Sequence, residues 1–287
     1  MTSAADSNPS LPPQSIDLPV EPPPSSLDRP ATVRIVGAGP GDPDLISVRG
    51  QKLLAAADVV FFAGSLVPET LLSHCRPEVE VIDTRSLVLE DWLPIVFDRA
   101  RAGRQVVRLQ DGDPSLYGAL HEVVAQLLEQ DIPFEVVPGI SAFQAAAARL
   151  AVELTVPNLV QSIILTRASG ATQVPAAEDL ASLAAHNASI CLYLSAHHAQ
   201  RAQEQLAAHY PPEMTIALCY RIGWEDERVV LCRLDELAAV THREKLTRTV
   251  LYVISPALDA MTTATTARSR LYSSDHRHIF RPKASQA

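Results

Sequence analysis

The stretch RIVGAGPGDPDLI, from Arg34 to Ile46, reads as a short apolar strand, a glycine-rich turn and the opening of a helix. Dinucleotide-binding folds carry G-x-G-x-x-G at such a turn, so that a pyrophosphate rests on the helix N-terminus. Gly37 and Gly39 fit that pattern, but the third glycine position holds Asp42. A carboxylate there would face the pyrophosphate. The acidic residue that should hold a ribose about 20 residues further on is also missing, because the second strand ends FFAGS, with Ala63 and Gly64. The turn therefore suits a ligand without phosphate, and weighs against a nicotinamide-dependent oxidoreductase.

Outward from this turn the pattern alternates. Apolar strand candidates lie at 33–37, 58–63, 79–83, 105–110 and 134–139, with helical stretches clearest at Leu45–Ala57, Leu89–Arg101 and Leu116–Gln130. Short apolar strands alternating with helices imply βαβ units and a mostly parallel sheet with helices on both faces. A second series of strands follows at 161–167, 189–195, 215–221, 227–233 and 249–255, with helices near 178–185, 197–209 and 234–240. ERVVLCR follows TIALCYR after a short turn and reads as an antiparallel hairpin, which makes the second sheet mixed. The expected organisation is α/β throughout: an N-terminal domain over 31–140, a C-terminal domain over 141–256 and a tail over 257–287. The tail loses periodicity, yet SRLYSSDHRHIFR (269–281) is dense in aromatic and basic residues and is expected to dock on the body.

The first thirty residues are different material. They hold eight prolines, six serines and one basic residue, Arg29, with no apolar core of a signal peptide, and are expected to form a disordered, dispensable leader. The remaining chain has ordinary globular composition: 47% of all 287 residues are hydrophobic and 20% charged. A net charge of −9 argues against a general nucleic-acid binder, which needs a surplus of Lys and Arg. No run of 18 or more apolar residues occurs, so no membrane span is expected. Cys75, Cys191, Cys219 and Cys232 form no C-x-x-C pair, so buried free thiols in a reducing cytoplasm are expected, and no zinc site. His197-His198 opens a helix without further ligands nearby and reads as surface.

Gly-Asp-Pro occurs twice, at 41–43 and 112–114, each time after a strand and before a helix. Asp at N-cap and Pro at N1 explain each triplet as a helix start, and Ser141 in VVPGISAF offers a third cap. In a parallel sheet all three turns fall at the carboxyl ends of strands, where ligands bind. Three such loops would form a cleft of backbone N–H and C=O groups suited to an adenosine and amino-acid ligand.

The motifs VGAGPGDPDLISVRGQKLLAAADVV, LQDGDPSLYG, VVPGISAF, ILTRASG and YRIGWEDERVV, in this order, resemble the tetrapyrrole methylase family, S-adenosylmethionine-dependent enzymes of corrin and sirohaem synthesis. The resemblance spans about Thr32 to Arg281, and AGSLV, the LTR segment and the tail point to the branch that methylates C-11 of precorrin-4, with or without cobalt in the ring. It implies a homodimer of two-domain subunits, S-adenosylmethionine between the domains and a polycarboxylate tetrapyrrole in an adjoining trough. Pro40, Asp111, Gly112, Asp113 and Leu116 would border the cofactor, as would Ser141, Ala142, Leu194 and Ile222. Two departures stand out. Relatives acting on uroporphyrinogen III carry an aspartate where this chain has Ala63, and the C-11 branch often reads T-R-x-x-G-R-T-P where this chain has Thr166 to Gln173 without the second arginine.

Carbon methylation from a sulfonium releases a neutral thioether, so no general acid is needed, and positioning dominates. No catalytic acid or base is identifiable from the sequence. An acidic protein must recognise carboxylates with local arginines, whose planar forks match them. Arg85, Arg167 and Arg221 at strand ends are the candidates, with Arg108 weaker because it lies inside its strand. Trp224 in the hairpin turn either walls the trough or packs the turn.

Overall fold

The computed structural model describes residues 33–170 and 173–260, which carry ten strands and eight α-helices. The leader, the docking of the 269–281 segment with His276 and His278, and the Ala171-Thr172 step of the departed motif all lie outside the described residues.

The first lobe is a five-stranded sheet of β1 (Val33–Gly37), β2 (Val59–Phe62), β3 (Glu80–Asp83), β4 (Val106–Gln110) and β5 (Phe134–Val137). Its order is β3-β2-β4-β1-β5, and every pairing is parallel. Alternation along β1 sends Val33 and Ile35 to one face and Val36 to the other. The first face packs on α2 (Leu89–Arg101) and α3 (Leu120–Glu129) through Trp92, Leu93, Val96, Val123 and Leu127. The second packs on α1 (Val48–Ala56) through Leu53 and Leu54, and on the 3-10 turn Glu69–His74 through Leu71. Leu54, Leu71 and Leu127 are completely buried, each contributing about 1.5–3 kcal/mol of transfer free energy.

The order of strands fixes where a ligand can enter. From β1 the chain crosses β4 to reach β2, whereas from β4 it crosses β1 to reach β5. Neighbouring strands whose connections leave in opposite directions open a crevice at their carboxyl ends. The two Gly-Asp-Pro turns stand on either side of that crevice.

The second lobe starts with α4 (Ala142–Arg149) and holds β6 (Ile163–Arg167), β7 (Ser189–Tyr193), β8 (Thr215–Tyr220), β9 (Arg228–Arg233) and β10 (Val250–Ile254). The order is β6-β7-β10-β8-β9; β6 and β7 are parallel and the other pairs antiparallel, including the expected β8–β9 hairpin. One face is covered by α5 (Leu180–Ala184), α6 (Ala199–Ala207) and α7 (Leu237–Arg243). The other carries Cys191, Ala217, Cys219, Leu251 and Val253 against α4 and α8 (Pro256–Ala260). This last helix lies beyond the point where periodicity fades in the sequence, and Ala257 and Leu258 are buried.

Two helix starts differ from the sequence expectation. Asp42 does cap, its Oδ1 accepting from Asp44 N at 2.9 Å, but what it caps is the 3-10 turn Pro43–Leu45. The α1 helix begins later, at Val48, where Ser47 accepts from Gly50 N at 3.1 Å. After the second triplet no helix starts until Leu120, because Tyr117 and Ala119 adopt left-handed backbone with φ of 54° and 50°.

Candidate functional site

The first two loops of the crevice are knitted backbone to backbone. Ala38 N donates to Gln110 O at 2.7 Å, Gly39 N to Gly112 O at 3.2 Å, and Gly112 N to Gly39 O at 2.9 Å. The third loop closes on the second through Asp113, whose Oδ2 accepts from Gly139 N at 2.8 Å. Such approach tolerates no side chain at Gly139, where a Cβ would stand 2.8 Å from Gly37 Cα and closer still to the Gly112 carbonyl.

Asp113 is therefore a loop-to-loop staple, which corrects its reading as a helix cap. Its Oδ1 accepts from Ser115 N at 2.9 Å and from the Ser115 hydroxyl, forming a local turn. Burial works against this carboxylate, but the three hydrogen bonds outweigh it and hold its pKa below the usual value. Ser141 takes the N-cap position of α4, yet its hydroxyl is 2.9 Å from Tyr193 Oη, and it is Gln144 Oε1 that accepts from Ser141 N, at 2.9 Å. Phe143 N donates to the same Tyr193 oxygen at 3.1 Å, so a residue at the end of β7 fastens the second lobe to the third loop.

Around this knot lie the expected cofactor residues. Pro40, Asp111, Gly112 and Leu116 are half-buried in the first two loops, and Ala142 begins α4. Burial pushes the Asp111 carboxyl up, against the nearby Arg108 and the Gln110 amide, which donates to Oδ1 at 3.0 Å. Leu194 follows Tyr193 with φ 51° and is 64% exposed, an apolar side chain offered to solvent. Ile222 is buried in the same apolar cluster as Ala145 and Ala146, so it backs the cleft from within the core.

The arginines divide. Arg85 and Arg221, far apart in sequence, line one cleft of about 580 Å³ together with Gly41, Gly64, Glu69, Trp224 and Asp226. Arg167, at the end of β6, is not among the residues of that cleft; it lies near Tyr117, whose pKa burial raises and the Arg167 charge offsets only in part. Arg108 is no substrate candidate. Burial brings its pKa down to about 10, its guanidinium sits 5.0 Å from the Trp92 ring centroid, and Nη1 donates to Leu109 O at 2.6 Å.

Trp224 packs the hairpin turn onto the first loop and also lines the cleft of Arg85 and Arg221. Tyr117 and Tyr193, whose rings are 5.4 Å apart, escaped the sequence analysis. Their only signal was position, just after a Gly-Asp-Pro turn and at a strand's carboxyl end.

The chemistry of the loops decides what fits. Residues 38–42, 111–116 and 139–142 supply three aspartates and no Lys, Arg or His. That set opposes a pyrophosphate, which would meet carboxylates and no basic side chain. Among the described residues no group of three or more His, Cys, Asp or Glu is placed to hold a metal, and no helix is long and apolar enough to cross a membrane. All four cysteines are free, with Cys191 and Cys219 buried and Cys75 and Cys232 only half-buried.

Comparison with known proteins agrees with this chemistry. The family model of tetrapyrrole (corrin/porphyrin) methylases matches residues 32–238. The chain is 39% identical to the precorrin-4 C(11)-methyltransferase of Pseudomonas aeruginosa, over 88% of this chain and 99% of that protein. It is also 39% identical to the cobalt-precorrin-4 C(11)-methyltransferase of Priestia megaterium, over 86% of this chain and 96% of that one. A solved cobalt precorrin-4 methyltransferase of cobalamin biosynthesis superposes with a TM-score of 0.77 at 38% identity, covering 80% and 96% of the two chains. The uroporphyrin-III C-methyltransferase of Thermus thermophilus, solved with S-adenosylhomocysteine, gives 0.67 at 26% identity, over 80% and 99%. By motif order, sheet topology and sequence identity, the chain belongs to the tetrapyrrole methylase family.

Proposed function

We propose that this protein transfers a methyl group from S-adenosylmethionine to C-11 of precorrin-4, giving precorrin-5 in cobalamin synthesis. The observation that carries the reading is the knot of three glycine loops at the strand crossover, bearing carboxylates and no basic side chain. Relatives named for precorrin-4 and for cobalt-precorrin-4 match equally well, at 39% identity. Any cobalt belongs to the substrate.

When bound, the cofactor supplies an electrophilic methyl on sulfur. The attacking carbon's electron pair would form the new C–C bond as the S–CH₃ pair returns to sulfur, and the charge passed to the ring would leave as a ring N–H proton taken up by water. The chain's part is to bind, orient and exclude water. Asp113 holds the second and third loops together, Tyr193 fixes the third loop to the second lobe, and Asp111 offers a carboxyl to the cofactor's ammonium. Pro40, Gly112, Leu116, Ser141, Ala142 and Leu194 would border its adenosine and methionine portions, with Ile222 behind them. Arg85 and Arg221 face a polycarboxylate edge in one cleft, and Arg167 takes a carboxylate beside Tyr117. The protein is read as a cytoplasmic homodimer, which light scattering checks.

Titration calorimetry with S-adenosylhomocysteine and, separately, with NADH tests the cofactor assignment. Saturable binding of the first alone is expected. Binding of NADH in its place would return the chain to the oxidoreductase reading.

A further inference from the structure

The turn between β8 and β9 is built more firmly than a connection requires. Trp224 N donates to Arg221 O at 3.0 Å, and Glu227 N to Trp224 O at 3.1 Å. Glu227 then spends both carboxylate oxygens on holding the turn: Oε2 accepts from Gly223 N at 2.8 Å, and Oε1 from Arg149 Nε of α4 at 2.6 Å. The indole lies on the first loop, where a Cβ at Gly41 would stand 2.5 Å from Trp224 Cδ1. The guanidinium of Arg221 lies over that indole, 3.9 Å from the ring centroid, on a backbone with φ 48°. An arginine stacked in this way loses little further freedom when it grips a ligand.

What the fork now faces is an internal acid. Arg221 Nε is 2.7 Å from Asp226 Oδ1, yet that N–H is buried and not aligned for a hydrogen bond with it or any other acceptor. Asp226 is 57% exposed and Arg221 29%, so the acid can leave while the fork stays. Across the same cleft Arg85 donates to Glu69, 3.1 Å away and 72% exposed, while its Nε is held by Asp83.

We propose that Trp224, Arg221 and Asp226 form a carboxylate-exchange clamp, in which Asp226 occupies the arginine fork until a peripheral carboxylate of the substrate displaces it. Exchange of one carboxylate for another leaves the arginine never without a counter-charge, so its desolvation is met at both stages. A neutral or esterified edge cannot displace the aspartate, and specificity follows from that competition. Trp224 is the positioning residue, and Arg221 the one that touches the substrate. The proposal rests on the reading that this cleft receives the tetrapyrrole.

The test measures binding of cobalt-precorrin-4 directly, by its absorbance change on titration without any methyl donor, beside calorimetry with S-adenosylhomocysteine and a thermal melt. Arg221→Lys is expected to weaken tetrapyrrole binding about tenfold, because an ammonium cannot supply the fork. Asp226→Asn is expected to tighten it about threefold, the scale of an exposed ion pair removed as competitor. Trp224→Phe, which keeps a ring beneath the guanidinium, should stay near wild type, and Trp224→Leu should approach Arg221→Lys. None of these changes should move S-adenosylhomocysteine affinity by more than about twofold. Tightening by Asp226→Asn is the reading that a merely structural turn would not give. Unchanged or weaker binding in that variant overturns the clamp, as does a loss in Arg221→Lys confined to the cofactor. A wild type that binds the tetrapyrrole but no S-adenosylhomocysteine would instead sink the methyltransferase reading and leave the clamp standing.

Discussion

Asp42 and Asp113 occupy the same place in the same triplet, and the structure gives them different work. Asp42 serves one backbone N–H two residues on. Asp113 serves Ser115 and, 26 residues away, Gly139. Replacing Asp42 by Asn keeps an acceptor oxygen, so stability and cofactor affinity should both stay within about 0.5 kcal/mol of wild type. Asp113→Asn must turn its N–H₂ either towards Gly139 N or towards Ser115, so it should cost roughly 1–3 kcal/mol of stability and weaken S-adenosylhomocysteine binding. Thermal melts and calorimetry on both variants check this; equal, negligible effects would make the two triplets interchangeable turns. The sign of the pH effect follows. The folded-state pKa of Asp113 lies below its ordinary value of 3.8, so its contribution is present above that value and lost as pH falls through the folded pKa. The wild type should therefore lose more stability than Asp113→Asn between about pH 4 and the acid limit of the melt.

At the scale of elements, periodicity located nearly everything it was able to locate. All ten strands lie within the apolar runs read from the sequence, and Leu89–Arg101 is the helix observed. What periodicity missed was set by contacts between distant loops. A helix was expected from Leu116, but the loop that carries Asp113 is pinned to Gly139, and left-handed Tyr117 and Ala119 delay the start to Leu120. The union of Arg85 with Arg221 was equally illegible, since it depends on the hairpin turn reaching the first loop, which the packing of Trp224 on Gly41 and of Gly223 on Asp42 shows. Tyr193 is the matching link on the other side. Burial raises its hydroxyl to about 12, so it stays protonated and bonded to Ser141 and Phe143 at any working pH. Tyr193→Phe should cost about 1–2 kcal/mol and raise KM for S-adenosylmethionine more than it lowers kcat. A fall confined to kcat, with stability intact, would contradict a role in holding the third loop.

Over the whole molecule acids outnumber bases, and the cleft of Arg85 and Arg221 keeps that balance, since Glu69, Glu225 and Asp226 line it beside them and an anionic ligand meets each arginine already paired. Thiols report on the body as a unit. Burial pushes Cys191 and Cys219 to about 12, and they lie on β7 and β8, on either side of β10. Neither should react with a maleimide until the second lobe opens, whereas half-buried Cys75 and Cys232 should react slowly in the native state. Mass spectrometry of the labelled sites checks the order, and early labelling of Cys191 would show that this sheet breathes. The most direct test of the account concerns where the methyl goes. The protein is incubated with S-adenosylmethionine labelled with carbon-13 in its methyl group, and with precorrin-4 in its metal-free and cobalt forms. Carbon-13 NMR then locates the label. A single new methyl is expected, bonded to C-11, formed from at least one of the two substrates and lost in Asp113→Asn at limiting cofactor. Label on any other ring carbon, or no transfer to either substrate by a protein that binds S-adenosylhomocysteine, would contradict it.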